Sequence, residues 1–472
     1  MKLNENKVNN WKKAMLPLSF TFSSLLNIGF YYIGLAFQEN PARKYGFILG
    51  GIAFAILAGL TFLHIIRKER FKWYVWALWC GVLGFFFGGF ASAVYNHGVH
   101  YLIVDYLSQF IVFCVPAFLI GICSAKWRTE QHLVPTLEKL SFFVLPAALT
   151  YFMQVMFDAN PFNWGRDLGI IGYMPFAYTL MPLLMALIIR FADKEDLIIP
   201  FVNRKISHPQ IVRFSMIMVF WIALYSSGTR GAMICIICFL AFLLLFKLIR
   251  REKAKSTFFI SAIMVVVLAF NLFVFAPTGM RWLGRMDMFL DGLLSGQIIT
   301  SPEDDKIGSN IDDMVALNPT NPSEPSDSKE PSASIDLNNH GITSRGTLFE
   351  IAFKEFLKKP LFGMGPGSYS VKYNMFPHNV ILELLAETGI VGAVFIIFLT
   401  LFSIIKLIKA ALKDRNVLFI LLFFITYAVQ ANCNGSIWFC SALLCALGYG
   451  LTFRATDKPA LEQDFEITGE KK

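Results

Sequence analysis

The sequence predicts an all-α protein, a polytopic integral membrane helical bundle of about twelve transmembrane helices with one large extracytoplasmic loop. The first observation is composition, because 56% of the 472 residues are hydrophobic and only 16% are charged. A soluble core of this size does not need so much apolar surface. The second is that apolar runs of about 20 residues, the length of helix that crosses a bilayer, recur along the chain. The third is that basic residues cluster in every second loop between these runs.

Twelve apolar runs are candidate transmembrane helices. The first is no removable signal peptide, because it lacks a small-residue cleavage site and further runs follow it. They divide the chain into a nine-span part (1–276), a large loop (277–388), a three-span part (389–453) and a tail (454–472). In chain order, the runs lie near residues 14–37, 46–66, 73–95, 101–124, 139–157, 169–190, 211–227, 231–249, 257–276, 389–408, 416–432 and 436–453.

The net charge of +9 indicates membrane topology rather than a nucleic-acid partner. Basic clusters follow the even-numbered runs, such as "RKERFK" after run two, "AKWRTEQ" after run four and "KLIRREKAKS" after run eight. Because short loops rich in Lys and Arg stay in the cytoplasm, both termini are predicted to be cytoplasmic and the loop 277–388 extracytoplasmic. The short loops on the other side hold only Arg43, Lys44, Arg166 and Arg230.

The centre of the large loop, about residues 301–341, is predicted to be a disordered linker. It has no aromatic residue, many prolines and serines, and an excess of acids. Such a segment buries too little apolar surface to offset its conformational entropy. The pairs Asp304–Asp305 and Asp312–Asp313 are read as solvated charge and not as metal ligands, since a metal site needs ligands in fixed geometry. No metal or other cofactor is predicted, and no cysteine between residues 277 and 390 supplies a disulfide.

The flanks of the loop carry ordered signals. "TLFEIAFKEFLKKP" begins with a capping-box spacing from Thr347 to Glu350 and ends at Pro360, which predicts a short helix on the membrane surface or on the bundle. Its expected apolar face is formed by Phe349, Ala352, Phe353 and Phe356.

The segment "LFGMGPGSY", with glycines at 363, 365 and 367, follows this helix. A phosphate-binding loop requires a preceding strand and a helix N-terminus directly after it, and neither is predicted here. The pattern favours a glycine turn that lets the backbone pass close to another group.

Three residues on the predicted outer side could carry chemistry. Arg230 lies in the tight hairpin "SSGTRGAM", Arg345 in "TSRGTLF" after the linker, and His378 in "PHN" before run ten. Each has a structural alternative: an arginine reaching a lipid headgroup, a surface arginine and a solvent-exposed capping histidine. Their shared side favours a functional interpretation.

The segments "SSGTRGA", "SRGTLFEIAFKEFLKKPLFGMGPGSY" and "PHNVILELLAETGIVG" together resemble the bacterial O-antigen ligase and polysaccharide polymerase family. The resemblance covers about residues 220–410, and the first 200 residues match only in hydropathy. Its most specific parts are "PLFGMGPG" and the His-Asn…Glu-x-Gly-x-x-Gly pattern. That pattern is formed here by His378, Asn379, Glu387, Gly389 and Gly392.

The resemblance implies a metal-independent membrane glycosyltransferase of surface polysaccharide biosynthesis in the bacterial cytoplasmic membrane. The donor would be an undecaprenyl-diphosphate-linked oligosaccharide, and the acceptor a glycan or a lipid-linked sugar. Membrane lipids and other membrane proteins of polysaccharide assembly are further expected partners.

Each candidate residue then has an expected role. Arg230 and Arg345 would neutralise the leaving diphosphate, because guanidinium groups bind phosphate oxygens in bidentate fashion. His378 would take the proton of the acceptor hydroxyl. Asn379 and Glu387 would position His378 or the acceptor sugar, although a structural role for Glu387 at a helix end fits equally well. Gly365 and Gly367 are also assigned to the substrate-binding part.

Several functions stay open from the sequence. Polymerase and ligase activities share these motifs, and a composition leaning to Lys, Asn and Ile slightly favours a polymerase. A transporter or flippase of lipid-linked glycan would require ionisable groups at mid-depth, and Asp105 is the clearest one inside a run. The position of the long loop, between runs nine and ten, also breaks the two-half symmetry of common transporters. A non-catalytic scaffold is the third alternative.

Overall fold

The computed structural model describes residues 5–32, 41–68, 71–97, 110–157, 173–194, 196–199, 204–227, 229–274, 345–373 and 375–454. Within these ranges every long element is helical, and one antiparallel pair of two-residue strands, β1 (Ile198–Ile199) and β2 (Arg204–Lys205), completes the regular structure. The helices are α1 (Glu5–Tyr32), α2 (Pro41–Lys68), α3 (Trp73–His97), α4 (Val115–Trp127), α5 (Leu133–Phe157), α6 (Tyr173–Asp193), α7 (Pro209–Ser226), α8 (Arg230–Ile249), α9 (Lys255–Val274), α10 (Arg345–Lys358), α11 (Ser368–Tyr373), α12 (Val380–Ala411), α13 (Arg415–Asn434) and α14 (Ser441–Thr452).

The prediction of a multi-pass helical membrane protein is confirmed in this described part. Eight of its helices are long and apolar enough to cross a membrane, and three further apolar helices are shorter. The count of twelve spans is not confirmed. Three predicted runs, near 211–227, 257–276 and 436–453, coincide with the shorter helices. The eight candidate spans are Ile48–Arg67, Trp73–Ala91, Phe110–Trp127, Thr129–Tyr151, Phe176–Asp193, Gly231–Ile249, Val380–Ala411 and Arg415–Cys433.

The predicted linker 301–341 and residue Asp105 lie outside the described residues. The same holds for most of the large loop, of which the described part begins at Arg345. Helix α12 begins at Val380, nine residues before the run predicted to start at 389, so Glu387 lies inside a helix. Asn379 caps this early start, since its side chain accepts a hydrogen bond from the Leu382 amide.

Close backbone contact between α4 and α14 forms part of the buried core. A Cβ on Gly121 would lie 2.0 Å from the Cys445 carbonyl oxygen, and one on Gly448 would lie 2.4 Å from the Phe118 carbonyl oxygen. Small residues let helices approach closely in membranes, where packing replaces the hydrophobic driving force. The close contact between the two helices therefore requires glycine at these two positions.

Ion pairs define one end of the bundle. Asp193, at the end of α6, pairs with Arg415 at the start of α13 and lies 3.8 Å from the Lys247 Nζ near the end of α8. Arg250, which follows α8, donates to the carbonyl of Ala411 at 2.6 Å. The ends of α8 and α12 and the start of α13 therefore meet here, and we call this the basic end.

The arrangement agrees with the alternation of basic loops in the sequence. Arg128 of the loop after α4 pairs with Asp414 at 2.7 Å, which places that loop at the basic end as well. Since α8 and α12 both finish at the basic end, both begin at the other end of the bundle. We call that other end the site end. It carries Arg230 and His378.

Candidate functional site

The start of α12 is shaped by His378 and Asn379. The Asn379 Oδ1 accepts from the Leu382 amide at 3.0 Å, and its Nδ2 donates to the carbonyl of Asn432 at 3.2 Å. Asn379 therefore ties the start of α12 to the end of α13, which explains why this position carries a side chain with both an acceptor and a donor.

His378 immediately precedes this cap and has a φ of 58°, in the left-handed region that a non-glycine residue rarely adopts. Its half-buried ring lies 4.3 Å, centroid to centroid, from the ring of Phe376. Backbone strain of this kind persists only where the surroundings hold it, and it clusters at functional sites. The imidazole is thus held at the rim of the site end.

The glycine segment 363–367 forms a turn that packs on α12. Gly363, Gly365 and Gly367 all have positive φ, of 67°, 103° and 76°. The Met364 amide donates to the carbonyl of Ala386 at 2.9 Å, and the Gly365 amide donates to the carbonyl of Glu387 at 2.8 Å. These two carbonyls have no hydrogen-bond partner within α12, because the helix is kinked just after them. The amides of the turn supply the missing donors. The turn is the close backbone approach that the glycine spacing predicts.

Gly389 breaks the helical geometry of α12, with φ 64° and ψ −169°. After the break, the Ile390 amide donates to the carbonyl of Pro360 at 2.8 Å. A Cβ on Gly389 would lie 2.3 Å from the Leu361 carbonyl oxygen, and a Cβ on Gly363 would lie 2.3 Å from the Glu387 carbonyl carbon. The kink and the turn therefore require glycine on both sides of the contact.

Two buried glutamates on α12 join three segments of the chain. Glu387 is 1% exposed and accepts hydrogen bonds from the amides of Gly367 at 2.8 Å and Tyr369 at 3.2 Å, and from the Trp438 Nε1 at 2.9 Å. Glu383, one turn earlier, is fully buried and accepts from the Ser436 Oγ at 2.6 Å and the Ile437 amide at 2.8 Å. The glycine turn and the link between α13 and α14 are thereby fastened to α12.

The wall behind the glutamates is aromatic. The Trp438 ring lies 4.6 Å from Phe90, 5.4 Å from Phe86 and 6.0 Å from Phe110 between ring centroids. Because such surroundings have a low dielectric, the hydrogen bonds to the two carboxylates are stronger than they would be in water. These aromatic neighbours therefore hold the Trp438 ring in the position from which its indole N–H reaches Glu387.

Helix α10 docks on this assembly through a face other than the predicted one. The buried positions are Leu348, Ile351, Ala352 and Glu355, whereas Phe353 is 49% exposed. The predicted helix therefore exists, but of its expected apolar face only Ala352 is fully buried. Phe349 and Phe356 are partly buried, and Phe353 is exposed. The physical reason is that the helix has two apolar sides, and local periodicity does not tell which side meets protein and which meets lipid. The outer side and the following residues expose Phe353, Leu357, Leu361 and Phe362.

A charged cluster anchors α10 to α11. The Glu355 Oε1 accepts from the Lys358 Nζ at 2.9 Å, the Lys372 Nζ at 3.0 Å and the Tyr373 hydroxyl at 2.7 Å. Burial raises the pKa of Glu355, but the hydrogen bonds from Lys358, Tyr373 and Lys372 outweigh it, so the pKa lies below its ordinary value. The carboxylate therefore stays ionised and fixes α10 beside the glycine turn.

The two predicted arginines each begin a helix, and their side chains lie outside the described atoms. Arg230 begins α8 at the site end, after a short link in which the Thr229 amide donates to the Ser227 Oγ at 3.2 Å. Arg345 begins α10, one turn before Leu348, whose carbonyl accepts from the Tyr369 hydroxyl at 3.2 Å. The backbone at all three candidate catalytic positions is thus at or beside the site end.

The structure changes the interpretation of Gly365 and Gly367. Their amides donate to the Glu387 carbonyl and carboxylate, so this geometry favours a structural turn over direct phosphate binding by those N–H groups. Sequence reasoning missed Glu383, Ser436 and Trp438. The available signal was the i, i+4 pair of acids inside the apolar stretch "VILELLAETGIVG", since ionisable residues in membrane helices are costly and commonly functional.

No group of three or more His, Cys, Asp or Glu side chains that could hold a metal ion occurs among the residues with described positions. The fold and the site together define a class: a multi-pass helical membrane protein with a polar site built from a glycine turn and helix starts at one end of the bundle. Residues 214–397 match the model of the family described as O-Antigen ligase, so this segment of the chain is similar to that family. The matched segment contains Arg230, Arg345, His378 and Glu387.

This similarity supports a membrane glycosyltransferase-type role in polysaccharide assembly, in which the substrates of the family are lipid-linked glycans. Neither the comparison with curated proteins nor that with solved structures gives a match.

Proposed function

We propose that this protein transfers glycan from an undecaprenyl-diphosphate carrier to an acceptor sugar hydroxyl on the extracytoplasmic side of the bacterial cytoplasmic membrane. It needs no metal ion, and both of its termini are cytoplasmic. The single observation that carries the proposal is that the O-antigen ligase segment folds so that the starts of α8 and α12, with Arg230 and His378, share one end of the bundle.

The reaction replaces the bond between the anomeric carbon and the carrier diphosphate by a glycosidic bond, and it moves one proton. The acceptor oxygen attacks the anomeric carbon, the electron pair of the cleaved bond leaves with the carrier diphosphate, and the hydroxyl proton passes to His378. A histidine suits this step because its ordinary pKa is close to ambient pH. The diphosphate leaves as an anion and requires charge neutralisation, which Arg230 and Arg345 supply. The N-termini of α8 and α10, where these arginines stand, add partial positive charge.

Glu383 and Glu387 act in this proposal as positioning residues. They hold the glycine turn and the α13–α14 link against the same turns of α12 that follow His378 and Asn379. The rigidity of this unit sets the place of the imidazole. Asn379 contributes by fixing the first turn of the helix to Asn432.

A purified, reconstituted His378→Ala variant tests the role of the base. We expect activity to fall by about 10²–10⁴-fold, the usual contribution of a general base, with normal amounts of protein in the membrane. The matched control is His208→Ala, because His208 is exposed and lies at the start of α7, outside the site. Near-normal transfer by His378→Ala would show that His378 has a capping role and that the proposed mechanism is wrong.

A polymerase is favoured over a ligase by the composition noted above, and a deletion strain separates the two. Single repeat units on the acceptor indicate that a polymerase was lost, whereas accumulated lipid-linked polymer indicates that a ligase was lost. The transporter alternative is less well supported, because the buried pair Glu138–Arg213 lies in the second turns of α5 and α7 and not at mid-depth. The loss of catalysis expected for His378→Ala would also exclude a scaffold.

A further inference from the structure

A cavity of about 300 Å³ lies between the start of α3, the second half of α12 and the end of α14. Three cationic residues, Lys72, Lys406 and Arg454, contribute to its wall. None of the described residues that line it is acidic. A concave site lined by three cations attracts an anion.

Two of the cations, Lys406 and Arg454, contact neutral groups of the same helices. The Lys406 Nζ donates to the carbonyl of Leu451 at 3.0 Å and lies 6.0 Å from the ring centroid of Phe402. Arg454 donates to the Tyr74 hydroxyl at 3.4 Å, with its guanidinium 5.9 Å from the centre of that ring. Both residues also contribute to the wall of the cavity.

The position of the cavity indicates a membrane interface. Lys406 lies on α12 about 26 residues beyond its start, roughly 40 Å away along a helix that rises 1.5 Å per residue, so the cavity is near the basic end. Trp73 and Tyr74, at the start of α3, are 80% and 43% exposed. Exposed Trp and Tyr at the ends of membrane helices mark the headgroup region.

An apolar track runs from the cavity along α12 toward the middle of the bilayer. Phe398, Leu401 and Ile405 are 62%, 52% and 54% exposed on this helix, next to Phe402 in the cavity wall. The ligand that fits both features has an anionic head and long acyl chains. Basic pockets between membrane helices on the cytoplasmic side are known to bind such headgroups.

We propose that this cavity binds the phosphate headgroup of an anionic glycerophospholipid, with the acyl chains lying along the exposed face of α12. The site is at the opposite end of the bundle from His378. It therefore does not rest on the proposed glycosyl transfer, and its test does not use activity.

The test measures lipid binding to the purified full-length protein by native mass spectrometry and by thermal unfolding in detergent. The probes are phosphatidylglycerol, phosphatidylcholine and inorganic phosphate. We expect phosphatidylglycerol alone to stay bound and to raise the unfolding temperature. Since each cation near a headgroup contributes a factor of about five in affinity, the combined variant Lys72→Gln, Lys406→Gln and Arg454→Gln should bind about 100-fold more weakly.

The matched control removes three charges at the same end but outside the cavity, with Lys253→Gln, Lys409→Gln and Lys413→Gln. It should keep wild-type affinity. An equal loss in this control, or equal binding of phosphatidylcholine, would overturn the proposal by reducing it to a surface charge effect. Competition by inorganic phosphate at the same concentration would assign the cavity to a soluble anion and overturn the lipid part.

Two further measurements keep the outcome decisive. If the triple variant does not fold, the single variant Arg454→Gln should show about a five-fold loss, and no loss would contradict the site. A polyprenyl phosphate that displaces phosphatidylglycerol at much lower concentration would assign the cavity to the carrier lipid, and the proposal of a glycerophospholipid would then be wrong.

Discussion

Glu383 and Glu387 show how single residues hold the site together. Each carboxylate is buried, and each accepts from groups that are far away in the chain: Ser436, Ile437 and Trp438 lie more than 50 residues later. A buried polar group is tolerated only when hydrogen bonds satisfy it. A substitution that keeps the size of either glutamate side chain but removes an acceptor oxygen is therefore expected to destabilise the protein.

Replacing Glu387 by glutamine tests this requirement. The native carboxylate accepts from three donors, whereas a glutamine amide offers one oxygen and turns an N–H group toward the remaining donors. Each buried donor left without an acceptor costs about 1–3 kcal/mol. We expect Glu387→Gln to lower the unfolding temperature and to impair activity.

The matched control is Glu350→Gln on α10, where the carboxylate is 42% exposed and pairs with Lys354 at 3.1 Å. An exposed pair of this type contributes at most about 1 kcal/mol, so the unfolding temperature should hardly change. Thermal unfolding in detergent measures both variants. Equal curves for Glu387→Gln and wild type would mean that its hydrogen bonds contribute nothing.

Arg230 tests the proposal that a guanidinium binds the diphosphate. An arginine needed only for its charge tolerates lysine, whereas a bidentate phosphate ligand does not, because lysine carries a point charge without the planar fork. We expect Arg230→Lys to be nearly as inactive as Arg230→Ala, with lipid-linked donor accumulating in cells of both variants. Wild-type amounts of glycan from Arg230→Lys alone would show that charge suffices. Activity in both variants would move the diphosphate role to Arg345.

The kink of α12 shows what a helix contributes beyond its length. Its break at Gly389 releases backbone groups, which the glycine turn and the loop after α10 then satisfy. In an uninterrupted helix, the carbonyls of Ala386 and Glu387 would be bonded to amides of the helix itself. They would not be available to the amides of Met364 and Gly365. The kink is therefore the feature that joins the loop to the membrane helix.

Gly389→Ala should consequently disturb both folding and activity. Its φ of 64° is strained for alanine, and the added Cβ would meet the Leu361 carbonyl oxygen at 2.3 Å. Strain of this kind costs about 1–3 kcal/mol before the backbone shifts. Gly59→Ala on α2 is the control, since nothing lies within 4 Å of its Cβ position. We expect the control to unfold like wild type and Gly389→Ala to unfold at lower temperature; the reverse order would refute the assigned geometry.

The bundle as a whole has two chemically different ends. The basic end holds Asp193, Lys247 and Arg415, and the site end holds the starts of α8 and α12. The alternation of basic loops predicts that the basic end is cytoplasmic. This orientation places the lipid-linked donor and the acceptor hydroxyl outside the cytoplasm in the proposed mechanism.

Labelling in intact cells checks this orientation. In a cysteine-free background, Arg230→Cys and His378→Cys should react with a membrane-impermeant thiol reagent added from outside. Lys253→Cys, which follows α8 at the basic end, should react only after the membrane is permeabilised. The opposite pattern would place the candidate site in the cytoplasm and exclude the proposed mechanism.

Much of this architecture was predictable because it depends on local patterns. Apolar runs longer than a bilayer is thick specify membrane helices, and the alternation of basic loops separates the two ends. Helix α10 is predicted by its apolar periodicity and by Pro360, although it begins at Arg345, two residues before the predicted cap Thr347. The close backbone contact at 363–367 follows from alternate glycines. Each of these signals lies within a few neighbouring residues.

The remaining features depend on contacts between distant segments. The buried side of α10 is chosen by Tyr369 and Tyr373, because lipid is as apolar as a protein interior and does not by itself select a face. The partners of Glu383 and Glu387 are set by the packing of α12 against the α13–α14 link, more than 50 residues away. The cavity between α3, α12 and α14 likewise collects cations from three remote parts of the chain. No local sequence pattern specifies these contacts between distant residues, because they form only when the helices pack.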